Sequence, residues 1–159
     1  MAMLLSIRNL KKDFIEKKIL KGVNFDVKIG EKIGLVGLNG AGKTTLVNII
    51  VGDIDCDEGS ILWHKKSVNI GYLKQDTAYV KSINCEENFK EFLQVSSNLG
   101  LEDVKKWDNK KLNNLSGGER TKVALSEIWS TNPDFLILDE PTNHLDYNGI
   151  QWLIKEVKN

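Results

Sequence analysis

Between residues 37 and 44 the chain reads Gly37-Leu38-Asn39-Gly40-Ala41-Gly42-Lys43-Thr44, a G-x-x-x-x-G-K-[ST] pattern. Glycines let a backbone curl until several N–H groups face one point, and a helix that starts beyond them adds the positive end of its dipole, so the pattern suits a phosphate. Lys43 then reaches the outer phosphates of a nucleotide. The Thr44 hydroxyl is an oxygen ligand for a Mg²⁺ that bridges and neutralises them, and Thr45 joins the phosphate-binding set. A plain glycine turn before a helix is the alternative. The flanks favour the phosphate loop, because residues 32–36 (KIGLV) read as a short apolar strand running into the glycines and 44–51 as a helix.

Two further groups carry chemistry. Phe135-Leu136-Ile137-Leu138 is an apolar strand that ends in Asp139-Glu140. Taken alone, such a strand end is better explained by two solvated acids. Downstream of a phosphate loop, Asp139 is placed to hold Mg²⁺, usually through its waters, and Glu140 to orient or deprotonate a water attacking the γ-phosphate. Leu115-Ser116-Gly117-Gly118-Glu119 has the parts of a second phosphate cradle: a hydroxyl, glycine N–H groups and the start of a helix. In isolation a glycine helix cap also accounts for it.

The elements that must position these groups follow from periodicity. Residues 3–8 and 19–27 read as strands, the second alternating through Val23, Phe25 and Val27 to a Gly30-Glu31 turn, and 60–63 and 68–73 suggest two more. Asn84 with Glu87 resembles a capping box ahead of Phe89, Phe92, Leu93, Ser96 and Leu99 at helical spacing. A helix is expected after Ser116-Gly117-Gly118, burying Val123, Leu125, Ile128 and Trp129 and ending at Asn132-Pro133. The last segment places Ile150, Leu153, Ile154 and Val157 on one helix face. The fold class expected is α/β: a parallel P-loop core, an N-terminal antiparallel β portion and a helical portion ahead of the Ser-Gly-Gly string.

With 159 residues, 41% hydrophobic and 28% charged, the chain has the composition of one globular domain. Lys and Arg total 22 and so do Asp and Glu, so overall charge selects no nucleic-acid or acidic partner. Cys56 and Cys85 lack metal-ligand spacing and read as reduced thiols of a cytoplasmic protein. No apolar run approaches a signal peptide or membrane span. Trp63, Trp107, Trp129 and Trp152 are scattered and read as packing residues. The pairs Lys17-Lys18, Lys65-Lys66, Lys105-Lys106 and Lys110-Lys111 read as solvated faces. His64, in a turn beside two lysines, is expected to be exposed.

The LSGGE string at 115–119 resembles the signature motif of ABC ATPases. The resemblance implies that Leu115, Ser116, Gly117, Gly118 and Glu119 close on an ATP held by the phosphate loop of a second ABC domain, in the same chain or in a homodimer, so that an isolated domain hydrolyses poorly. Gln75, in Gly71-Tyr72-Leu73-Lys74-Gln75, matches the family's Q-loop glutamine, which contacts Mg²⁺ and the attacking water. Phe14 falls where the family stacks an aromatic on adenine; a core phenylalanine beside the first strand fits nearly as well. Asp146 matches the D-loop aspartate at the dimer interface. Glu140-Pro141-Thr142-Asn143-His144-Leu145-Asp146, with the continuation Gly118-Glu119-Arg120-Thr121-Lys122-Val123-Ala124-Leu125, looks like the ABC-F branch. His144 is then part of that branch motif, not a metal ligand or the catalytic histidine.

For function the resemblance implies Mg-ATP binding and hydrolysis within a cytoplasmic, ribosome-associated translation or antibiotic-resistance factor. The alternatives are the ATPase subunit of a membrane transporter, and a nucleotide-binding module that has lost turnover. The pattern breaks at the end. ABC domains continue into a strand carrying a switch histidine, and the sequence stops at Asn159. The chain is therefore expected to be one C-terminally incomplete ABC domain, with 1–75 and 116–159 forming the core and β portion and 76–115 the helical portion. The missing strand is expected to leave a gap in the sheet. The interval from Gln75 to Leu115 is short for the helical arm that many ABC-F proteins insert there.

Overall fold

In the computed structural model, which describes residues 1–15, 17–75 and 87–158, the first 28 residues form a hairpin. Strand β1 (Met3–Phe14) pairs antiparallel with β2 (Lys17–Lys28), with Ile7 opposite Phe25 and Phe14 opposite Lys17. Strand β3 (Glu58–Trp63) adds antiparallel to the other edge of β1, giving the order β2-β1-β3. The central strand is consequently buried on both faces at Leu4, Leu5, Ser6 and Ile7. This is the antiparallel β portion read from the sequence.

Helix α1 (Lys43–Val51) buries Leu46, Val47, Ile49 and Ile50 and stops at Gly52, whose N–H bonds back to Ile49 and Asn48 carbonyls. The segment before it departs from expectation. Residues 31–38 carry no ladder, and Ile33, Leu35 and Val36 stand 53%, 50% and 90% exposed. An apolar run becomes a strand only when another strand takes up its N–H and C=O groups, and no strand among the described residues pairs with this one.

The chain divides into two compact units, Met1–Val68 and Asn69–Asn159. In the second, β4 (Ile70–Leu73) and β5 (Phe135–Leu138) pair in parallel, with Leu73 opposite Leu138. A parallel pair needs a crossover, and helices supply it: α2 (Phe89–Asn98), a 3-10 turn (Val104–Lys106), α3 (Asn109–Asn113) and α4 (Gly117–Ser130). Asn84, the expected cap, and Cys85 lie outside the described residues; α2 begins after Asn88. Cys56 is a half-buried free thiol.

Two apolar clusters hold this unit. One joins Phe92, Leu101, Val104, Leu112, Leu115 and Val123, with Leu93 and Trp107 against it. The other joins Leu73, Leu99, Leu125 and Leu153, with Ile128, Trp129, Leu138, Leu145 and Trp152 packed around it. Trp129 and Trp152 meet edge to face at 5.1 Å, which bears out their reading as packing residues. Helix α4 ends as expected, with Asn132 at φ 47° ahead of Pro133. Helix α5 (Tyr147–Lys158) buries Leu153 but leaves Ile154 and Val157 exposed, so only part of its apolar stripe is covered.

Phe92 is fully buried at the centre of the first cluster. Phe92→Ala is expected to cost about 3–5 kcal/mol, read from urea unfolding followed by far-UV circular dichroism; a loss below about 1 kcal/mol would mean the cluster does not hold this unit.

Candidate nucleotide-binding site

The phosphate-loop residues lie in the first unit. Gly42, at φ 95°, immediately precedes α1, and a Cβ there would come within 2.7 Å of Ile19 Cγ2 and 3.1 Å of Leu20 Cδ2. Only glycine allows both the backbone turn and this approach. The loop thereby rests on β2, the strand whose partner β1 ends in Phe14. Phe14 itself is 45% exposed, with the Lys12 ammonium 5.5 Å from its ring centroid, so it is a surface aromatic and not a core one. Lys43 Nζ donates to the carbonyls of Gly37 (2.8 Å) and Leu38 (3.1 Å), which curls the ammonium over the loop. Leu38, Asn39, Gly40, Ala41 and Thr44 are exposed and Thr45 half-buried in the first helical turn.

The carboxylates lie in the second unit. The Leu73–Leu138 register sets the end of β4 beside the end of β5, and Asp139 N–H donates to the Leu73 carbonyl at 3.0 Å. Gln75 and Glu140, each two residues beyond these leucines, are thus brought together: Gln75 Nε2 donates to Glu140 Oε2 at 3.0 Å. The sequence reading missed the third member. Asn143 Nδ2 donates to the same oxygen at 2.7 Å, a spacing of three residues that a turn makes natural. Both bonds fall on Oε2, so neither occupies Oε1. Glu140 sits at φ 49°, a left-handed conformation that costs a non-glycine residue about 1–3 kcal/mol and is characteristic of functional turns.

The oxygen donors present fit magnesium. Within the second unit the Gln75 amide nitrogen is engaged by Glu140, which leaves its carbonyl oxygen as a hard donor, and Asp139 would add a carboxylate; Thr44, in the first unit, carries a hydroxyl of the same kind. Magnesium takes such hard donors in small number, beside water and phosphate. Among the described residues no group of three or more His, Cys, Asp or Glu side chains forms a dedicated metal cage.

The signature string begins α4. Ser116 caps the helix: its Oγ accepts from Glu119 N–H at 3.2 Å while Glu119 Oε2 accepts from Ser116 N–H at 2.8 Å, a complete capping box. The Ser116 hydroxyl proton remains available to donate. Leu115 anchors the string in the first cluster. Gly117 and Gly118 abut His144: a Cβ on Gly118 would lie 2.6 Å from the His144 carbonyl oxygen, and one on Gly117 3.4 Å from its ring. His144 is therefore a packing partner of the signature, consistent with its reading as part of the branch motif.

Two ion pairs went unread. Lys111 Nζ donates to Glu119 Oε1 at 2.6 Å, so Lys111 is half-buried and engaged, not one more solvated lysine. Together with the Ser116 N–H it holds the Glu119 carboxyl down to about 2. Lys122, nearly buried, donates to Asp146 Oδ2 at 2.7 Å, and with the Gly149 N–H on Oδ1 it lowers the Asp146 carboxyl below its ordinary value. Lys122 stands inside the quoted signature continuation, but nothing in its local pattern names Asp146 as its partner.

Residues 20–143 match the family described as ABC transporter. The chain belongs to this family of ATPases. It is 39% identical to the ribosome protection protein VmlR of Bacillus subtilis across 89% of the chain and 27% of that protein. It is 29% identical to ABC transporter F family member 2 of Arabidopsis thaliana across 92% of the chain and 29% of that protein, in keeping with the F-branch resemblance of residues 140–146. The chain thus spans under a third of the length of these relatives. A solved structure, the ATP binding subunit of an ABC transporter, superposes with a TM-score of 0.78 at 24% identity, over 98% of this chain and 75% of that one, which establishes the P-loop ABC fold.

Glu119 titrates near 2 when folded against an ordinary 4.5. Its pairing therefore stabilises the fold fully above the ordinary value, fades as pH falls, and is gone by about pH 2. Lys111→Met is expected to raise the Glu119 midpoint toward 4.5, read by carboxyl-carbon NMR titration, and to cost stability at neutral pH but not near pH 2. An unmoved midpoint would show that Lys111 is not what holds it.

Proposed function

We propose that this chain binds Mg-ATP and, when a second ABC domain closes on it, hydrolyses the γ-phosphate, as the ATP-binding module of a cytoplasmic, ABC-F-type factor acting on the ribosome. The observation that carries the catalytic reading is the Glu140 carboxylate, held at the end of β5 by the Gln75 and Asn143 amides with Oε1 outside both bonds. The ribosomal part rests on the EPTNHLD string and on the likeness to a protein named for ribosome protection.

Lys43 and the amides of residues 37–45 bind the nucleotide phosphates, with Phe14 placed for the base. In this reading Lys43 exchanges its two carbonyl partners for phosphate oxygens, a stronger charge-assisted pairing. Magnesium, when bound, supplies charge neutralisation at the β- and γ-phosphates. Glu140 Oε1 accepts a hydrogen bond from the attacking water, orients it in line, and takes its proton as the new P–O bond forms; the bond from the γ-phosphorus to the bridging oxygen breaks and ADP leaves. Ser116 and the amides of Gly117 and Gly118 donate to the γ-phosphate held by the second domain. Asp146, fixed by Lys122, meets that domain at the same interface.

Lys43→Ala should weaken Mg-ATP binding by about tenfold or more, measured by equilibrium titration; equal affinities would remove the phosphate loop from the site. Glu140→Gln keeps the side chain's shape but not its basicity, and should trap an ATP-bound pair of domains with turnover down at least about a hundredfold. In the parent protein that variant should co-sediment with ribosomes only in ATP. Co-purification with an integral membrane protein would instead assign the chain to a transporter.

A further inference from the structure

Gly117 and Gly118 lie in the first turn of α4, and neither has a positive φ. A helical glycine costs up to about 1 kcal/mol relative to alanine, so neither backbone conformation nor helix propensity asks for glycine here. Close approach does. A Cβ at 118 would stand 2.6 Å from the His144 carbonyl oxygen, a backbone atom that no rotamer change can move aside, and one at 117 would stand 3.4 Å from the His144 ring. The two glycines are thus a seat for residue 144. From that seat the chain returns to the carboxylate in one tight turn. Asn143 N–H donates to the Glu140 carbonyl at 3.1 Å and Leu145 N–H to the Thr142 carbonyl at 3.2 Å. Leu145 then packs in the Leu73 cluster, and Asp146 is held by Lys122. The crevice that Thr121 of α4 shares with Gln75, Asp139, Glu140, Asn143 and His144 measures only about 10 Å³, room for one water at most, so the turn has little slack.

We propose that Gly118, His144 and Asn143 are positioning residues for Glu140 and act in series. The glycine seat fixes the His144 carbonyl, the turn fixed there holds the Asn143 amide 2.7 Å from Glu140 Oε2, and the carboxylate is kept in one orientation with Oε1 outside both amide bonds. His144 works through its carbonyl, and its ring covers Gly117. This rests on the reading above of Glu140 as the base. It gives the signature glycines a task inside their own chain that needs no nucleotide, and it makes the start of α4 part of what aims the catalytic carboxylate.

The first test is NMR of the nucleotide-free chain, reading carboxyl carbons and side-chain amides. Gly118→Ala should displace the Glu140 carboxyl and Asn143 amide resonances, and Gly117→Ala, whose Cβ meets only the ring, should displace them less. Val123 and Leu125 methyl resonances should stay in place, showing that α4 keeps its packing. In an Asn143→Ala background, Gly118→Ala should move the Glu140 resonance by less than about half as much. Unmoved Glu140 and Asn143 resonances in folded Gly118→Ala overturn the proposal, as does an equal Glu140 response without the Asn143 amide. Where Gly118→Ala does not fold, Gly117→Ala carries the same comparison. In the parent protein, Asn143→Ala and the isosteric Asn143→Asp should each lower kcat by about tenfold with KM for ATP within about twofold, because the amide touches the carboxylate and not the nucleotide. A matching rise in KM, or an unchanged kcat, also overturns the proposal. Should Glu140→Gln turn over ATP like the parent, it is the reading of Glu140 as base that fails, a result separate from the resonance comparison.

Discussion

Helix α4 is sealed on two sides, and the rest of the second unit depends on that. A helix advances 100° per residue, so Val123 and Leu125 point to nearly opposite sides, and both are fully buried. Val123 enters the Phe92 cluster, which anchors Leu115 and with it the start of the signature; Leu125 enters the Leu73 cluster, which takes in Leu138 and Leu145. Gln75 follows Leu73 by two residues, Glu140 follows Leu138 by two, and Asp146 follows Leu145 directly. One helix therefore sets the signature on one side of itself and the carboxylate cluster on the other. Because close-packed clusters resist a shift of even one methylene, the packing of this one helix positions both sites.

Polar contacts complete what packing begins. Lys122 leaves α4 to hold Asp146, Glu119 closes the cap on Ser116, and His144 lies against Gly117 and Gly118. The first and last of these join α4 to the 139–146 turn, and the second closes the helix's own start. The turn is itself strained at Glu140 and His144, with φ of 49° and 65°, and left-handed backbone at non-glycine residues persists only where surrounding contacts over-determine it. Here those contacts are the Gln75 and Asn143 amides on one side and the signature glycines on the other.

Much of this was legible in the residues. The phosphate loop, the acid pair ending β5 and the capped signature are short strings whose chemistry depends on neighbours in the chain, and local strings are what a sequence displays. The β1–β2 hairpin and the boundaries of α1, α4 and β5 followed from periodicity and from Gly and Pro punctuation for the same reason. What escaped depended on distance or on a partner. Lys111 and Lys122 look like any other lysines until folding supplies Glu119 and Asp146. The Asn143 amide on Glu140 was within reach, since Asn three residues after an acid across a turn is a local signal. Residues 32–36 were read as a strand from hydrophobicity, but pairing is a property of two segments.

That last segment bears on how the protein behaves in a tube. Apolar side chains facing water are a surface on which another such stretch can lie, and Ile33, Leu35, Val36 and Leu38 are all at least half exposed. Self-adhesion through this apolar stretch scales with concentration, unlike the folding of either unit. Crowding and storage at high titre are thus the conditions that favour such contacts.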